Sequence, residues 1–159
     1  MGVEPFDIYA LAGFSSGTLG LCKQPDTAAD FATIAAWQPS IAVTLTGKEE
    51  FPDAGVILPQ QFQAAEYNWL HLPVTDFGVP LIKEQDIWQQ ALGRLLDALG
   101  TKGKVLIHCK GGNGRSGMLM LKLLTLQGED GKAALERIRH IRPGAVETDA
   151  QLEWATSPL

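Results

Sequence analysis

The sequence predicts an α/β domain with a mainly parallel central sheet flanked by helices on both faces. From residue 26 onward, short apolar or β-branched runs alternate with helix-patterned stretches, the order that parallel strands joined by crossover helices require. One run, Val105-Leu106-Ile107, is continuously apolar, as in a strand covered on both faces. Directly after it, residues 110–114 hold three glycines in five and lead into a helix pattern. That places a flexible loop at a strand's carboxyl end, where such sheets bind ligands.

In chain order, Ile8 to Ala12 and Gly17 to Cys22 form a hairpin pattern assigned to the sheet's antiparallel edge. Asp26 to Trp37 has helix composition, with Phe31, Ile34, Ala35 and Trp37 near one face and Pro39 just beyond its end. Ile41 to Thr46 is a strand pattern closed by Gly47, and Lys48 to Ala54 a short helical turn broken near Pro52. Pro59 suits a helix start, so a helix over Gln60 to Tyr67 precedes a strand over Trp69 to Val74. That strand delivers Thr75-Asp76-Phe77-Gly78-Val79-Pro80, a loop punctuated by glycine and proline. From Lys83 to Leu99, Ile87, Trp88, Leu92, Leu95, Leu96 and Leu99 recur at helical spacing, and Gly100 ends the helix. Arg115 to Gln127 is apolar almost all round and is expected to run through the core. Gly131 to Ile141, opened by Asp130, and Glu147 to Ala155 complete the helices.

At 159 residues the chain suits one domain, residues 1–159, whose core needs no staples. No apolar run is long enough to span a bilayer, and a net charge of -5 works against nonspecific attraction to nucleic acid or acidic membrane. No export signal opens the chain, and Phe6 stands where a myristoylation signal wants Ser or Thr. The expectation is a cytoplasmic monomer that binds neither nucleic acid nor membrane. In a reducing compartment Cys22 reads as a small buried hydrophobe, with a redox partnership to Cys109 as the lesser alternative. No His, Cys and carboxylate set has metal-ligand spacing. Neither a metal nor another cofactor is expected.

The loop's residue types dictate its chemistry. Glycines at 111, 112 and 114 let Lys110, Gly111, Gly112, Asn113 and Gly114 curl with successive N–H groups inward, forming an anion nest. The helix behind it adds unpaired N–H groups and the positive end of its dipole. Arg115 brings a planar fork that matches two phosphate oxygens, which lysine cannot do. Cysteines at helix N-termini beside an arginine are the reactive thiolates of proteins, so Cys109 reads as a nucleophile. Gly112 to Gly117 also fits a dinucleotide fingerprint, but no second strand ending in an acid follows at the required distance. A Walker phosphate loop fails because Arg115 stands where its lysine belongs.

With these residues the sequence resembles the cysteine-dependent protein phosphatases, whose signature is His-Cys, five residues, Arg, then Ser or Thr. Here it stands as His108-Cys109-Lys110-Gly111-Gly112-Asn113-Gly114-Arg115-Ser116. Gly17 to Leu21, Ile41 to Thr46, Leu70 to Pro80 and Arg142-Pro143-Gly144 through Thr148 and Gln151 look like the dual-specificity group. Within it the likeness is to phosphatases similar to the cyclin-dependent-kinase-associated one and its prokaryotic relatives. The resemblance implies the protein tyrosine phosphatase fold and a phosphate or sulfate-like anion in the loop. It also implies hydrolysis of a phosphorylated protein or peptide, at tyrosine and also serine or threonine, through a phosphocysteine. It makes Cys109 the nucleophile, Asp76 the general acid and then base, Arg115 with the loop N–H groups the phosphate site, and Gln151 a positioner of water. Ser116 either caps the helix or, as in that family, faces the sulfur and helps it leave. Lys110 and Gly112 partly match the lipid-phosphatase loop, so a phosphoinositide or small phosphate ester is the alternative substrate. Cys22 to Pro25 departs from the family pattern at the pocket's edge.

A departing alkoxide or phenolate needs a proton. Asp76, at the carboxyl end of the neighbouring strand on a loop able to close over the nest, is nominated, with desolvation keeping part of it protonated. The plainer alternative is a turn-capping aspartate. Asp86 and Asp97 read as solvated or capping residues, His108 as a shaper of the loop rather than a base, and His71 and His140 as structural or surface groups. A sulfurtransferase would need neither Asp76 nor the Arg-Ser pair, and a non-catalytic phosphoprotein binder would have lost Cys109, Arg115 or Asp76.

Overall fold

The computed structural model describes residues 4–52 and 57–158. Its strands are β1 (Tyr9–Ala12), β2 (Thr18–Cys22), β3 (Ile41–Thr44), β4 (Asn68–His71) and β5 (Lys104–His108). They form one sheet in the order β1-β2-β5-β3-β4. β1 pairs antiparallel with β2, and the β2–β5, β5–β3 and β3–β4 pairings are parallel. Only β1 is therefore the antiparallel edge expected of the whole hairpin. Leu19, Leu21 and Cys22 are fully buried, and a strand so apolar on both faces belongs inside the sheet, where β5 covers its second edge.

The helices are α1 (Ala28–Trp37), α2 (Ile57–Ala64), α3 (Gln85–Gly100), α4 (Gly114–Leu126), α5 (Gly131–Ile141) and α6 (Asp149–Thr156). Successive strand residues point to opposite faces. Leu106, Cys22 and Ala42 meet Phe31 and Ile34 of α1 and Leu58 and Phe62 of α2. Val105, Ile107, Leu19 and Val43 meet Leu92 and Leu95 of α3, Met118 and Leu121 of α4, and Ile138 of α5. The expected two-sided cover is present. Every residue of α4 from Gly114 to Leu124 is buried, and each such Leu or Met contributes about 1.5–3 kcal/mol. Even Lys122 is enclosed: its ammonium donates to the carbonyls of Trp154, at 2.9 Å, and Ser157, and lies 4.8 Å from the Trp154 ring centre. Burial pushes its pKa down.

Several bounds shift for local reasons. Thr27 caps α1 and Asp30 completes a capping box, so the helix opens two residues after Asp26. Ala35 is exposed on it. Pro59 lies third in α2 rather than before it, still within the first turn, where a missing N–H costs nothing. Ile82–Glu84 is a 3₁₀ turn leading into α3, whose Ile87 is 58% exposed rather than on the buried stripe. Thr148 caps α6, which starts at Asp149. Lys48–Glu50 is a 3₁₀ turn as expected; Asp53 and Ala54 of that stretch lie outside the described residues. β4 stops at His71 ahead of Pro73, yet the Leu72 and Val74 N–H groups still donate to Thr44 and Leu45 carbonyls, both at 2.9 Å. This extended segment carries Asp76 toward the loop. The strand bearing Asp76 is not the neighbour of β5, because β3 lies between them.

Candidate active site

The glycine-rich loop between β5 and α4 is held by its carbonyls. Leu45 N–H donates to His108 O at 3.0 Å, Gln24 N–H to Lys110 O at 3.1 Å, and Gly117 N–H to Asn113 O at 2.9 Å. The His108 ring lies 3.1 Å from Cys109 O. Arg142 donates to Gly111 O at 2.9 Å and Gly112 O at 3.0 Å. Six consecutive carbonyls, 108 to 113, are thereby tied outward. In a planar trans peptide the N–H points opposite to the C=O, so the amides of residues 110–114 converge inward as the predicted nest. Gly112 makes this turn at φ +75, where a Cβ would sit 2.7 Å from Cys22 and Lys23 backbone atoms. No other residue fits there.

Cys109, 3% exposed, lies in a pocket of about 160 Å³ whose walls include Asp76, Phe77, Lys110, Arg115 and Glu147. The Ser116 hydroxyl is 3.3 Å from Cys109 Sγ. Of its two readings the sulfur-facing one matches this geometry, since Asn113 occupies the N-cap position of α4. Cys22 pairs with His108 across the sheet and packs with Phe62, whereas Cys109 belongs to the core on the other face. The place of Cys22 beside Phe62 matches the buried-hydrophobe reading, and burial raises the Cys22 thiol well above its ordinary pKa.

His108 is fully buried and burial lowers its pKa to about 4, so the ring is neutral. A carbonyl only accepts, so Nδ1 carries the proton toward Cys109 O and Nε2 accepts from the Thr44 hydroxyl at 2.7 Å. Thr44 in turn accepts from the Trp69 indole at 2.8 Å. This chain fits the predicted loop-shaping role and leaves no free lone pair for a base.

Arg115, 2% exposed, donates to Glu50 Oε2 and Oε1 at 2.8 and 2.9 Å and to Val74 O at 2.9 Å. These hydrogen bonds hold the Glu50 carboxyl below its ordinary pKa. Asp76 Oδ1 stands 3.5 Å from Arg115, so the acid loop does reach the nest. Its side chain is 56% exposed, which corrects the expected desolvation: the loop brings Asp76 to the mouth of the pocket and not beneath it. Asp86 and Asp97 are exposed on α3, as expected. Gln151 does not face the pocket. It is fully buried, with Oε1 accepting from Glu147 N–H at 2.9 Å and Nε2 donating to Gly78 O at 3.2 Å. Each end of the amide is thus anchored once, to the segment before α6 and to the acid loop.

Three features were missed: Glu50 as the partner of Arg115, Arg142 as the brace of the loop, and the Thr44–Trp69 support of His108. Glu50 follows the carboxyl end of β3, the end of the sheet where the loop lies, and that position was its available signal. Arg142 adds a bidentate pair with Glu4 and lies 4.5 Å from the Tyr9 ring centre, contacts with no local sequence signature.

A buried thiol in a ring of inward amides, with an arginine on its rim and a carboxylate at its mouth, defines a cysteine-dependent phosphatase site of the protein-tyrosine and dual-specificity type. The chain belongs to the family described as Swiss Army Knife protein, DSP-PTPase phosphatase domain, whose model matches residues 14–154. It is 35% identical over 96 residues to a protein of Invertebrate iridescent virus 3 named a tyrosine phosphatase. That match covers 57% of this chain and 40% of the viral protein, so the chain spans well under half of that relative. Among solved structures, kinase-associated phosphatase with serine at its catalytic-site cysteine superposes with a TM-score of 0.81 at 23% identity, covering 96% of this chain and 93% of that one. Tk-PTP in its active form gives 0.69 at 29% identity, covering 89% and 91%. PTPMT1 in complex with PI(5)P gives 0.72 at 18% identity, covering 93% and 92%. Among the described residues, no helix is long and apolar enough to cross a membrane.

Proposed function

We propose that this chain, acting as a single domain, hydrolyses phosphotyrosine-type monoesters of proteins or peptides through a phosphocysteine. The observation that carries this is the run of outward-tied carbonyls around Cys109, which leaves inward amides for three phosphoryl oxygens. Cys109 sulfur attacks phosphorus, and the bond to the ester oxygen breaks as Asp76 donates a proton to it. Water then attacks the phosphocysteine, Asp76 takes its proton, and sulfur departs as a thiolate facing the Ser116 hydroxyl. Arg115 holds two phosphoryl oxygens while Glu50 keeps its guanidinium in plane.

Substrate class follows from the mouth. Phe77, 58% exposed on the pocket wall, offers a ring face to an aryl ester. Asp76 and Glu147 place two carboxylates there, which repel a second phosphate such as a polyphosphorylated inositol carries. The phosphoinositide reading rests on Lys110 and on PTPMT1, a neighbour that shares the fold. Initial rates on a phosphotyrosine peptide, its phosphoserine counterpart and a phosphoinositide test the proposal. The tyrosine peptide should give the highest kcat/KM, and faster turnover of the lipid would reject it.

A further inference from the structure

The loop that carries Asp76 is a strained turn held shut from α6. Gly78 N–H donates to Thr75 O at 2.7 Å, closing a turn over residues 75–78. Phe77 occupies it at φ +61, a left-handed conformation unfavourable for a bulky L-residue. Asp76 Oδ1 accepts from Phe77 N–H at 3.0 Å while standing 3.5 Å from Arg115. The carboxylate's position therefore depends on keeping this turn. Besides the Arg115 ion pair, a hydrogen bond reaches the turn from α6, Gln151 Nε2 to Gly78 O, from a side chain with no exposure.

Gln151 also serves its own helix. It is the third residue of α6, its N–H donates to the Thr148 hydroxyl at 3.1 Å, and its Oε1 accepts from Glu147 N–H. A glutamate meets those demands equally well, since its backbone N–H and a carboxylate oxygen supply the same donor and acceptor. Only the amide nitrogen of glutamine can also donate to Gly78. The choice of an amide at this position is thus explained by the acid loop and not by the cap.

We infer that Gln151 is a positioning residue for the general acid: it clips the Thr75–Gly78 turn to α6 and so holds Asp76 over the phosphate nest. This deepens the proposed mechanism and rests on Asp76 being the acid. Loss of the clip frees the turn to relax, which withdraws the proton donor without touching Cys109 or Arg115. The effect must therefore scale with the leaving group's need for a proton.

The test compares phenyl phosphate with an activated nitrophenyl ester in Gln151→Glu, which keeps the cap and loses the donor, and in Gln151→Met, which loses both. Gln151→Asn, an amide one methylene too short, provides a third variant should burial of the new carboxylate or thioether prevent folding. Each folded variant should lose about 10- to 100-fold in kcat/KM on phenyl phosphate, the parameter that ends with departure of the ester oxygen and so excludes the later hydrolysis step, and far less on the activated ester. In an Asp76→Asn background the same substitutions should add no further discrimination between the esters. Equal losses on both esters, or an undiminished split in the Asp76→Asn background, would leave Gln151 as a helix cap alone and overturn the inference. Asp76→Asn measured on the same pair separates the two failures: without a split of its own, the acid assignment falls and the inference with it.

Discussion

Cys109 is the one group whose removal abolishes chemistry while leaving the phosphate nest standing. Cys109→Ser should show no turnover yet still bind vanadate or phosphate, because the amides that hold the anion are fixed by carbonyl contacts the substitution does not touch. Titration calorimetry checks the binding. Arg115→Lys keeps the charge but loses the fork shared between Glu50 and substrate, and should cost roughly 10²- to 10³-fold in kcat. A near-normal lysine variant would show that charge alone suffices. One residue further back, Thr44→Val strips both Trp69 and His108 of a buried partner. That should cost about 1–3 kcal/mol of stability in denaturant unfolding.

The segments that converge on the nest include the loop after β5, the 3₁₀ turn after β3, and the extended stretch after β4. The first was legible in the sequence because its parts are contiguous, from the apolar strand through the glycines to Arg115. The second was not, since Glu50 reaches Arg115 across 65 residues and nothing near Lys48 marks the partner. The third was legible as a loop bearing Asp76, but its origin was misplaced by one strand because sequence order does not reveal that β3 inserts between β5 and β4. Gln151 was picked out, and its partner Gly78 was not, because that contact is set by how α6 docks. The turn after β3 yields its own expectation: Glu50→Gln weakens a bidentate charge-assisted pair and should lower kcat/KM by about 10-fold or more. The loss should grow if the fork is also narrowed by Arg115→Lys by less than the product of the single effects, since both act through one contact.

Across the whole molecule, the buried neutral His108 couples folding to pH. Its folded pKa, about 4, lies below the ordinary value of 6.5, so the unfolded chain binds the proton first as pH falls. The stability associated with it is complete above pH 6.5 and is lost progressively down to about pH 4. That loss amounts to about 3 kcal/mol. Glu50, held low by Arg115, acts in the same sense at lower pH. Urea midpoints measured from pH 7 to pH 4 should therefore fall, and a flat profile would contradict the burial argument. The fold class was legible because strand and helix patterns alternate over most of the chain; the interior place of β2 was not, because a hairpin pattern is silent about which strand takes its second partner. The central claim, a phosphocysteine formed in the nest, is tested most directly by rapid acid quench of a phosphopeptide turnover followed by mass spectrometry of the digested protein. The account predicts a transient phosphoryl adduct on the peptide containing Cys109 that decays at the turnover rate. An adduct on another residue, or turnover with no covalent adduct at all, would contradict it.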